Sequence, residues 1–221
     1  VFDEKGEVRF SVTESPDGVA LFEQTPTMGR WVEIAKLGVS GAKMKVRALD
    51  TAQGLLFVSR PNSQGRWVLS AYDLKRRQWS DFEVGHERYD VTPGIPSLAV
   101  GGVDLTAAIF SRSNSALLGV AFVADIPLQQ WVVPRFGEAQ RKLDKTFPGL
   151  VNVVSDVDEA GRQLVVFSFS GREPGVYHLL NMSNGRLTPL GRCMNHIVPE
   201  QMHTPVVVDC RSADGTELHG F

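Results

Sequence analysis

The tetrapeptide Gly29-Arg30-Trp31-Val32 is the most informative stretch of this chain, because it recurs as Gly65-Arg66-Trp67-Val68 after a shift of 36 residues. Two further pairs of segments fall into register at about the same shift: Ser15-Pro16-Asp17-Gly18 with Thr51-Ala52-Gln53-Gly54, and Ala20-Leu21-Phe22 with Leu55-Leu56-Phe57. Self-similarity at a fixed period indicates an architecture of stacked, equivalent units. The sequence therefore predicts a repeat protein before any single element is assigned.

A second landmark recurs over a longer part of the chain. A strand-like run ends in Asp or Asn, and a bulky apolar residue follows six positions later, as in Asp73 and Trp79, Asp125 and Trp131, and Asn181 and Leu187. An Asx side chain at the end of a strand can accept a hydrogen bond from the backbone two residues further on, so we predict a tight turn at each point. We expect the two tryptophans to lie on outermost strands, where they cover the gap to a neighbouring unit.

Strand signals dominate the whole chain. Residues 8–13 alternate between apolar and polar side chains, as expected of a strand with one buried face. Denser apolar runs, bounded by turn residues, predict strands that are buried on both faces; they occupy residues 54–58, 105–110, 117–123 and 164–167. Helical periodicity is nearly absent, and only the stretch 137–146 predicts one or two helical turns between units.

One repeat can be followed strand by strand. Predicted strands at 46–49, 55–60, 67–72 and 78–84 form a four-stranded antiparallel meander with the length of a propeller blade. A β-sandwich is the alternative all-β architecture, but a sandwich need not repeat landmarks at blade-length intervals. We therefore predict an all-β fold of about four four-stranded β-propeller blades, at about 1–38, 39–86, 87–136 and 137–191.

Composition excludes several classes of function. With 23 basic and 25 acidic residues, the chain has a net charge of −2 and lacks the basic excess that a nucleic-acid footprint would require. No apolar run reaches the roughly 18–20 residues of a membrane span, so we expect no membrane-spanning segment. The two cysteines, Cys193 and Cys210, do not make a disulfide framework, although a single bridge between them stays open in an oxidising compartment.

Motifs of catalysis and cofactor binding are absent from the sequence. The string nearest to a Gly-x-Ser-x-Gly nucleophile elbow is Gly38-Val39-Ser40-Gly41, which has the wrong spacing. There is no glycine-rich phosphate loop, and no pair of histidines has the His-Glu-x-x-His spacing of a zinc peptidase. We therefore predict no catalytic residue, no metal-binding residue and no cofactor in this chain.

The strongest candidate for a metal site consists of Cys193, His196, His203 and Cys210. Zinc requires four nitrogen or sulfur ligands, usually from two close pairs, and Cys193-x-x-His196 would supply one such pair. His203 and Cys210 lie seven residues apart and make a poor second pair, so we interpret this segment as a linker.

Two other polar features have structural interpretations. His178 lies in a predicted strand, and we interpret it as a blade-face histidine bonded to a neighbour rather than as a catalytic base. Residues 85–90, with the sequence Gly-His-Glu-Arg-Tyr-Asp, form a polar connector. We favour a hydrated crossing between blades for this connector over the lining of a central channel.

The C-terminal residues depart from the repeat pattern. Residues 199–205 form a linker with a proline at each end, and the Asp214-Gly215 turn between two β-rich runs predicts a hairpin. This linker and hairpin resemble the segment that opens the catalytic domain of the prolyl oligopeptidase family of serine peptidases, where a propeller leads into an α/β-hydrolase domain. The residues that match the family pattern are Pro205, Arg211, Asp214, Gly215, Leu218, Gly220 and Phe221.

The resemblance implies a domain organisation. Residues 1–198 would be a four-blade portion of a larger propeller, and residues 199–221 would be the linker and first hairpin toward an α/β-hydrolase domain that is absent from this chain. The family's nucleophilic serine, acid and histidine all lie in that domain, so none can be assigned here. The chain starts at Val1 without an initiator methionine and stops at Phe221 inside a predicted strand, and we therefore expect a piece of a longer protein.

The function implied by the resemblance is that of a non-catalytic, substrate-gating propeller in a serine peptidase that hydrolyses short peptides. Its expected partners are the chain's own α/β-hydrolase domain and the peptide substrates, with no nucleic acid and no membrane. Two alternatives stay open. One is a stand-alone propeller that binds a protein or small-molecule partner; the weaker one is a metal-dependent propeller hydrolase such as a lactonase, which needs several carboxylates converging on the axis.

Overall fold

The computed structural model describes residues 7–15, 18–25, 29–38, 44–50, 52–91, 99–100, 103–104, 108–111, 116–123 and 126–220. Antiparallel β-structure dominates these residues, and neighbouring strands within each sheet are consecutive in the chain. Sheet 1 consists of β1 (Phe10–Ser15), β2 (Gly18–Gln24) and β3 (Trp31–Gly38). Sheet 2 consists of β4 (Lys45–Asp50), β5 (Leu55–Pro61), β6 (Trp67–Asp73) and β7 (Gln78–Val84).

The second half of the chain continues this succession of sheets. A ribbon of β8 (Ala99–Val100) and β9 (Val103–Asp104) precedes sheet 3, which consists of β10 (Ala108–Phe110), β11 (Leu117–Val123) and β12 (Pro127–Trp131). Helix α1 (Pro134–Thr146) leads to sheet 4, which consists of β13 (Val151–Val157), β14 (Gln163–Phe169), β15 (Val176–Asn181) and β16 (Leu187–Arg192). A 3-10 turn (Pro199–Gln201) and a hairpin of β17 (Val208–Arg211) and β18 (Glu217–Gly220) follow.

The sequence repeat marks equivalent points of sheets 1 and 2. Trp31 is the first residue of β3 and Trp67 is the first residue of β6, and each of these strands is the third of its sheet. The preceding glycines, Gly29 and Gly65, have φ values of +60° and +78°, a left-handed conformation that favours glycine. The repeated tetrapeptide therefore encodes the same turn and the same strand start in two consecutive sheets.

The Asx landmark also has a structural counterpart. The backbone N–H of Lys75 donates to Asp73 Oδ1 at 2.9 Å, and the N–H of Ser183 donates to Asn181 Oδ1 at 2.9 Å. Both side chains close the turn between the third and fourth strands of their sheet, which confirms the prediction for sheets 2 and 4. The predicted turns at 61–65 and 158–161 also form, with N–H donation from Gly65 to the carbonyl of Asn62 and from Gly161 to the carbonyl of Asp158. Predicted turn positions 16–17, 51, 112–115 and 125 lie outside the described residues, as do strand residues 105–107 and Val39, Ser40 and Gly41.

Sheet 2 is buried on both faces because its strands alternate between two apolar clusters. Leu56 and Val58 of β5 pack with Leu21 of sheet 1 in one cluster. Phe57, which lies between them in the sequence, packs with Phe122 of sheet 3 in the other cluster. The period-two alternation of a strand thus places successive side chains between different pairs of sheets.

Helix α1 fills the space between sheets 3 and 4. Its buried residues, Phe136, Ala139 and Leu143, join Leu118 of sheet 3 and Leu164 of sheet 4 in a third cluster. The helix has 13 residues, whereas the sequence predicted only one or two turns over 137–146. It begins earlier because Pro134 occupies the first turn, where its missing N–H needs no partner.

The two tryptophans lie on edge strands, as predicted. Trp79 of β7 meets the ring of Tyr72 edge-on, with ring centroids 5.4 Å apart, and Trp131 of β12 packs at 5.4 Å from Phe136 of α1. Trp79 belongs to the cluster between sheets 1 and 2, and Trp131 to the cluster between sheets 3 and 4. Each indole therefore covers an apolar gap between neighbouring sheets.

These contacts define the fold class. A β-sandwich has two face-packed layers, but here sheets 1 to 4 follow one another in chain order and each of the two internal sheets packs on both sides. The chain therefore has an all-β fold of propeller blades. Sheets 2 and 4 have the predicted four strands, and sheets 1 and 3 have three strands within the described residues. The division of the chain at the predicted blade limits stays a prediction.

Candidate functional site

The segment that follows sheet 4 is held against the loop between β14 and β15. The N–H of Cys193 donates to the carbonyl of Gly175 at 2.8 Å, and Arg172 Nε donates to the carbonyl of Pro199 at 3.1 Å. Gly171 lies so close to Pro205 that a Cβ at position 171 would be 2.1 Å from the proline ring. We now extend the name linker from the predicted residues 199–205 to residues 193–207, and contacts at Cys193, Pro199 and Pro205 hold this segment on sheet 4.

The predicted hairpin after the linker is confirmed. Strands β17 and β18 pair from Arg211 with Glu217 to Val208 with Gly220, and the Arg211–Glu217 side chains form an ion pair at 2.9 Å. Gly215 has φ of +85° in the connecting turn. Asp214 accepts hydrogen bonds from the Ser212 hydroxyl and from the Thr216 N–H. These bonds lower the pKa of Asp214 to about 2, and the bond from Ser212 makes the largest contribution.

The linker and hairpin expose an unusual number of apolar side chains. Of the 14 large hydrophobic residues that are exposed in the described part of the chain, seven lie here: Met194, Val198, Met202, Val206, Val207, Val208 and Leu218. Val206 is 72% exposed. Concentrations of exposed apolar surface usually mark a site of interaction with another protein surface or a ligand. This segment is therefore the candidate contact region for a further domain or partner.

The hairpin lies across from the polar connector at residues 85–90. An open cleft of about 740 Å³ separates Arg88 and Tyr89 of the connector from Arg211 and Leu218 of the hairpin. The connector itself is fixed to sheet 2, because Asp90 Oδ1 accepts a hydrogen bond of 2.9 Å from the N–H of Trp67.

The connector also reaches sheet 3. The imidazole of His86 stacks on Tyr89 with ring centroids 4.8 Å apart and contacts Phe122 of β11 at 5.3 Å. Its Nδ1 accepts a hydrogen bond of 3.1 Å from the N–H of Arg88. These contacts fit the interpretation of the connector as a crossing between two blades.

The structure does not assemble the cysteines and histidines of the linker into a metal site. In the described ranges, no three His, Cys, Asp or Glu side chains lie close enough together to hold a metal ion. Cys193 is half-buried on the edge of sheet 4, Cys210 is exposed on β17, and neither cysteine is in a disulfide. The four residues therefore belong to separate surroundings along the linker and hairpin.

His178 occupies a more unusual position than the sequence indicated. It lies on β15, is 8% exposed, and stacks on Phe147 with ring centroids 4.8 Å apart and an angle of 27° between the planes. Burial lowers the pKa of His178 below its ordinary value. The predicted hydrogen bond to a neighbour is not found among the described residues, and Nδ1 is buried without a partner there. The aromatic stack holds the ring instead.

The charged residues beside His178 were not identified from the sequence. Arg172 and Glu173 lie in the loop between β14 and β15, which reads as ordinary turn sequence. Glu173 forms an ion pair with Arg192 at 2.8 Å and its side chain is only 16% exposed. The only sequence signal is a charged pair between Gly171 and Gly175, which is too common to indicate a site.

Comparison with known proteins adds information about the fold. No protein-family model matches the chain, and no curated protein matches its sequence. A solved structure from a study of two prolyl endopeptidases is similar with a TM-score of 0.60 and 16% identity, over 99% of this chain and 29% of that chain. A variant of puromycin hydrolase in complex with PGG is similar with a TM-score of 0.57 and 17% identity, over 99% of this chain and 32% of that chain.

These similarities establish the fold of the chain. The predicted resemblance to the propeller region of the prolyl oligopeptidase family is confirmed at the level of the fold. The chain spans 29% and 32% of the length of the two structures, so it corresponds to a part of each. In the described residues no helix is both long enough and apolar enough to cross a membrane.

Proposed function

We infer that this chain is the substrate-gating β-propeller portion of a prolyl-oligopeptidase-like serine peptidase that hydrolyses short peptides. The observation that carries this proposal is the direct succession of stacked blades, an anchored linker and an exposed apolar hairpin with the family's sequence pattern. Residues 1–198 form the propeller portion in this proposal, and residues 199–221 lead to an α/β-hydrolase domain outside this chain. The similarity in fold to parts of a prolyl endopeptidase and a puromycin hydrolase supports it.

The physical basis of the gating role is exclusion by a rigid body. Sheets that are buried on both faces cannot separate without exposing two apolar clusters to water. A ring of such blades over a catalytic site would admit a flexible oligopeptide and reject a folded protein. The propeller would supply neither the nucleophile nor the base, since covalent catalysis needs both within hydrogen-bond reach of each other.

The exposed apolar residues of the linker and hairpin support a partner domain at this end. Val206, Val207 and Val208 are three consecutive exposed β-branched residues at the entry to the hairpin, of which Val208 begins β17. Clustered exposed apolar side chains of this kind usually mark a contact surface. A hydrolase domain packed on the hairpin would remove them from water.

The proposal is tested first on the 221-residue chain with peptide and ester substrates and a fluorophosphonate probe for activated serines. We expect no turnover and no labelled serine. Turnover together with a labelled serine in this chain would refute the assignment of a non-catalytic role.

The second test uses the gene. The reading frame downstream of codon 221 should encode a Gly-x-Ser-x-Gly elbow, followed by an acid and a histidine. A stop codon directly after Phe221 would instead support the alternative, a stand-alone propeller that binds a protein or small-molecule partner. The cleft beside His178 is the observation that favours this alternative.

A further inference from the structure

A cleft of about 560 Å³ lies between sheet 4 and the linker. Its size is within the range of small-molecule sites in proteins, roughly 300–1,000 Å³. Apolar surface forms most of its lining, with side chains from Phe147, Leu150, Val176 and Pro199. The polar residues that line it are Ser170, Arg172, Glu173, His178 and Thr204. Apolar walls with few polar groups are typical of a site that orients a ligand.

His178 supplies a hydrogen-bond donor at the floor of this cleft. Its Nδ1 is buried and has no partner in the described part of the chain, so Nε2 is the ring nitrogen that can reach the cleft. A protonated Nδ1 would be a buried donor without an acceptor, which costs free energy, so the tautomer with the proton on Nε2 is favoured. Because burial lowers the pKa of His178, the neutral imidazole is favoured, and in this tautomer Nε2–H can donate to a ligand.

Arg172 supplies a positive charge at the rim. Its Nε donates to the carbonyl of Pro199 at 3.1 Å, which fixes the direction of the side chain. The two terminal nitrogens, Nη1 and Nη2, have no partner among the described residues. The nearby carboxylate of Glu173 is already paired with Arg192 at 2.8 Å. Arg192 is thus engaged by Glu173, whereas the guanidinium of Arg172 can still form an ion pair with a ligand in this cleft.

We propose that this cleft binds the carboxylate of an apolar organic acid, such as the C-terminal residue of a short peptide. The carboxylate accepts hydrogen bonds from Arg172 Nη1 and Nη2 and from His178 Nε2, and the apolar part of the ligand packs on Phe147 and Leu150. Hydrogen bonds between guanidinium and carboxylate are about twice as strong as those between neutral groups. The site does not depend on the proposed peptidase function, because it uses only residues of sheet 4, the loops beside it and the linker.

Occupation of the cleft would also tie the linker to sheet 4. Pro199 forms one wall, and the same Arg172 side chain contacts both Pro199 and the proposed carboxylate. We therefore expect a bound acid to slow amide hydrogen exchange in residues 199–205, where the linker lies against sheet 4.

The test titrates the 221-residue chain with N-acetyl-leucyl-phenylalanine, with its C-terminal amide and with N-acetyl-phenylalanine. Calorimetry gives the affinities, and long-range ¹H–¹⁵N spectra report the Nε2 signal of His178. We expect the dipeptide acid to bind about tenfold more tightly than the amide and to shift that signal. A dipeptide acid that binds more tightly than N-acetyl-phenylalanine identifies a peptide C-terminus as the ligand, and equal affinities of the two acids identify a free organic acid.

Variants decide whether the named residues are responsible. We expect Arg172→Gln to abolish the preference for the acid over the amide. We expect His178→Phe to keep the aromatic stack with Phe147 but to lower the affinity for the acid. Arg186→Gln is the matched control, since Arg186 is exposed on the β15–β16 turn outside the cleft. If His178→Phe fails to fold, the exposed Arg172→Gln variant decides alone. The proposal would be overturned if the wild-type chain bound the acid and the amide equally, or if it bound no acid at ligand concentrations of about 10 mM. It would also be overturned if Arg186→Gln lost as much affinity for the acid as Arg172→Gln.

Discussion

Sheet 2 and the C-terminal hairpin are both antiparallel, and both have an aspartate that caps a turn, yet their surroundings are opposite. Strands β5 and β6 are buried on both faces, whereas every residue of β17 is exposed. The local chemistry of Asp73 and Asp214 is the same, because each carboxylate accepts a backbone N–H two residues further on. The difference teaches that strand formation is encoded locally here, while stability comes from the neighbouring sheets.

The largest loss of stability is expected when a side chain that is buried between two sheets is truncated. Phe57 is 4% exposed and meets Phe110 of sheet 3 at 5.4 Å. We expect Phe57→Ala to reduce the free energy of unfolding by about 3–5 kcal/mol, because it leaves a cavity in the cluster between sheets 2 and 3. Urea denaturation followed by tryptophan fluorescence measures this change.

The matched control for this prediction lies at the end of the linker. Val206 is 72% exposed, and Val206→Ala should change the free energy of unfolding by no more than about 0.5 kcal/mol. If both variants lost similar stability, the hairpin would be as well packed as the blade and the comparison would be wrong.

A smaller effect is expected from one hydroxyl that joins sheets 1 and 2. The Tyr72 hydroxyl donates to the carbonyl of Ile34 at 2.6 Å, and burial raises its pKa above the ordinary value. Tyr72→Phe keeps the ring but removes the donor, so we expect a loss of about 1 kcal/mol in chemical denaturation. An unchanged midpoint would mean that water replaces the hydroxyl at no cost.

Substitution of the two turn aspartates is expected to lower stability by no more than Tyr72→Phe does, and the two substitutions should differ in how far their effects extend. Asp73 accepts N–H groups from both Lys75 and Arg76, and Asp73→Ala should lower the free energy of unfolding by about 1 kcal/mol. Asp214→Ala should leave the global unfolding midpoint unchanged and increase amide exchange at Thr216 alone, because the hairpin lies outside the clusters. A shift of the global midpoint by Asp214→Ala would contradict this separation.

The smallest effect is a local dependence on pH. Hydrogen bonds from Ser212 and Thr216 lower the pKa of Asp214 to about 2 from 3.8, so the folded hairpin favours the ionised form. The stabilisation is fully present above pH 3.8 and is lost as the pH falls toward 2. A carboxyl NMR titration of Asp214 measures it, and a midpoint near 3.8 would show that the turn does not form.

The sequence predicts the blades well because their signals are short-range. Trp31 and Trp67 mark the third strand of two sheets, and Asp73 and Asn181 mark the following turn, since each feature acts within a few residues. Helix α1 was underestimated for the opposite reason. Its buried residues gain an apolar environment only from sheets 3 and 4, which lie on either side of it.

The cleft could not be predicted, because its residues come from four separate segments. Phe147 follows α1, Arg172 lies in a loop, His178 lies on β15 and Pro199 belongs to the linker. No spacing rule connects such positions, and only the folded sheet brings them together. The cysteine and histidine pattern of the linker shows the converse, since suggestive spacing did not produce a shared site within the described residues.

The alternation of Leu56 and Phe57 between two clusters has a consequence for how the molecule loses structure. When each sheet touches only its two neighbours, the free energy of the whole is close to a sum over adjacent interfaces. A destabilising change in a terminal sheet then lowers the stability of the adjoining sheet most, and its effect decreases with each further sheet. Melting would advance inward from a terminus, through partly ordered forms that retain a run of consecutive sheets.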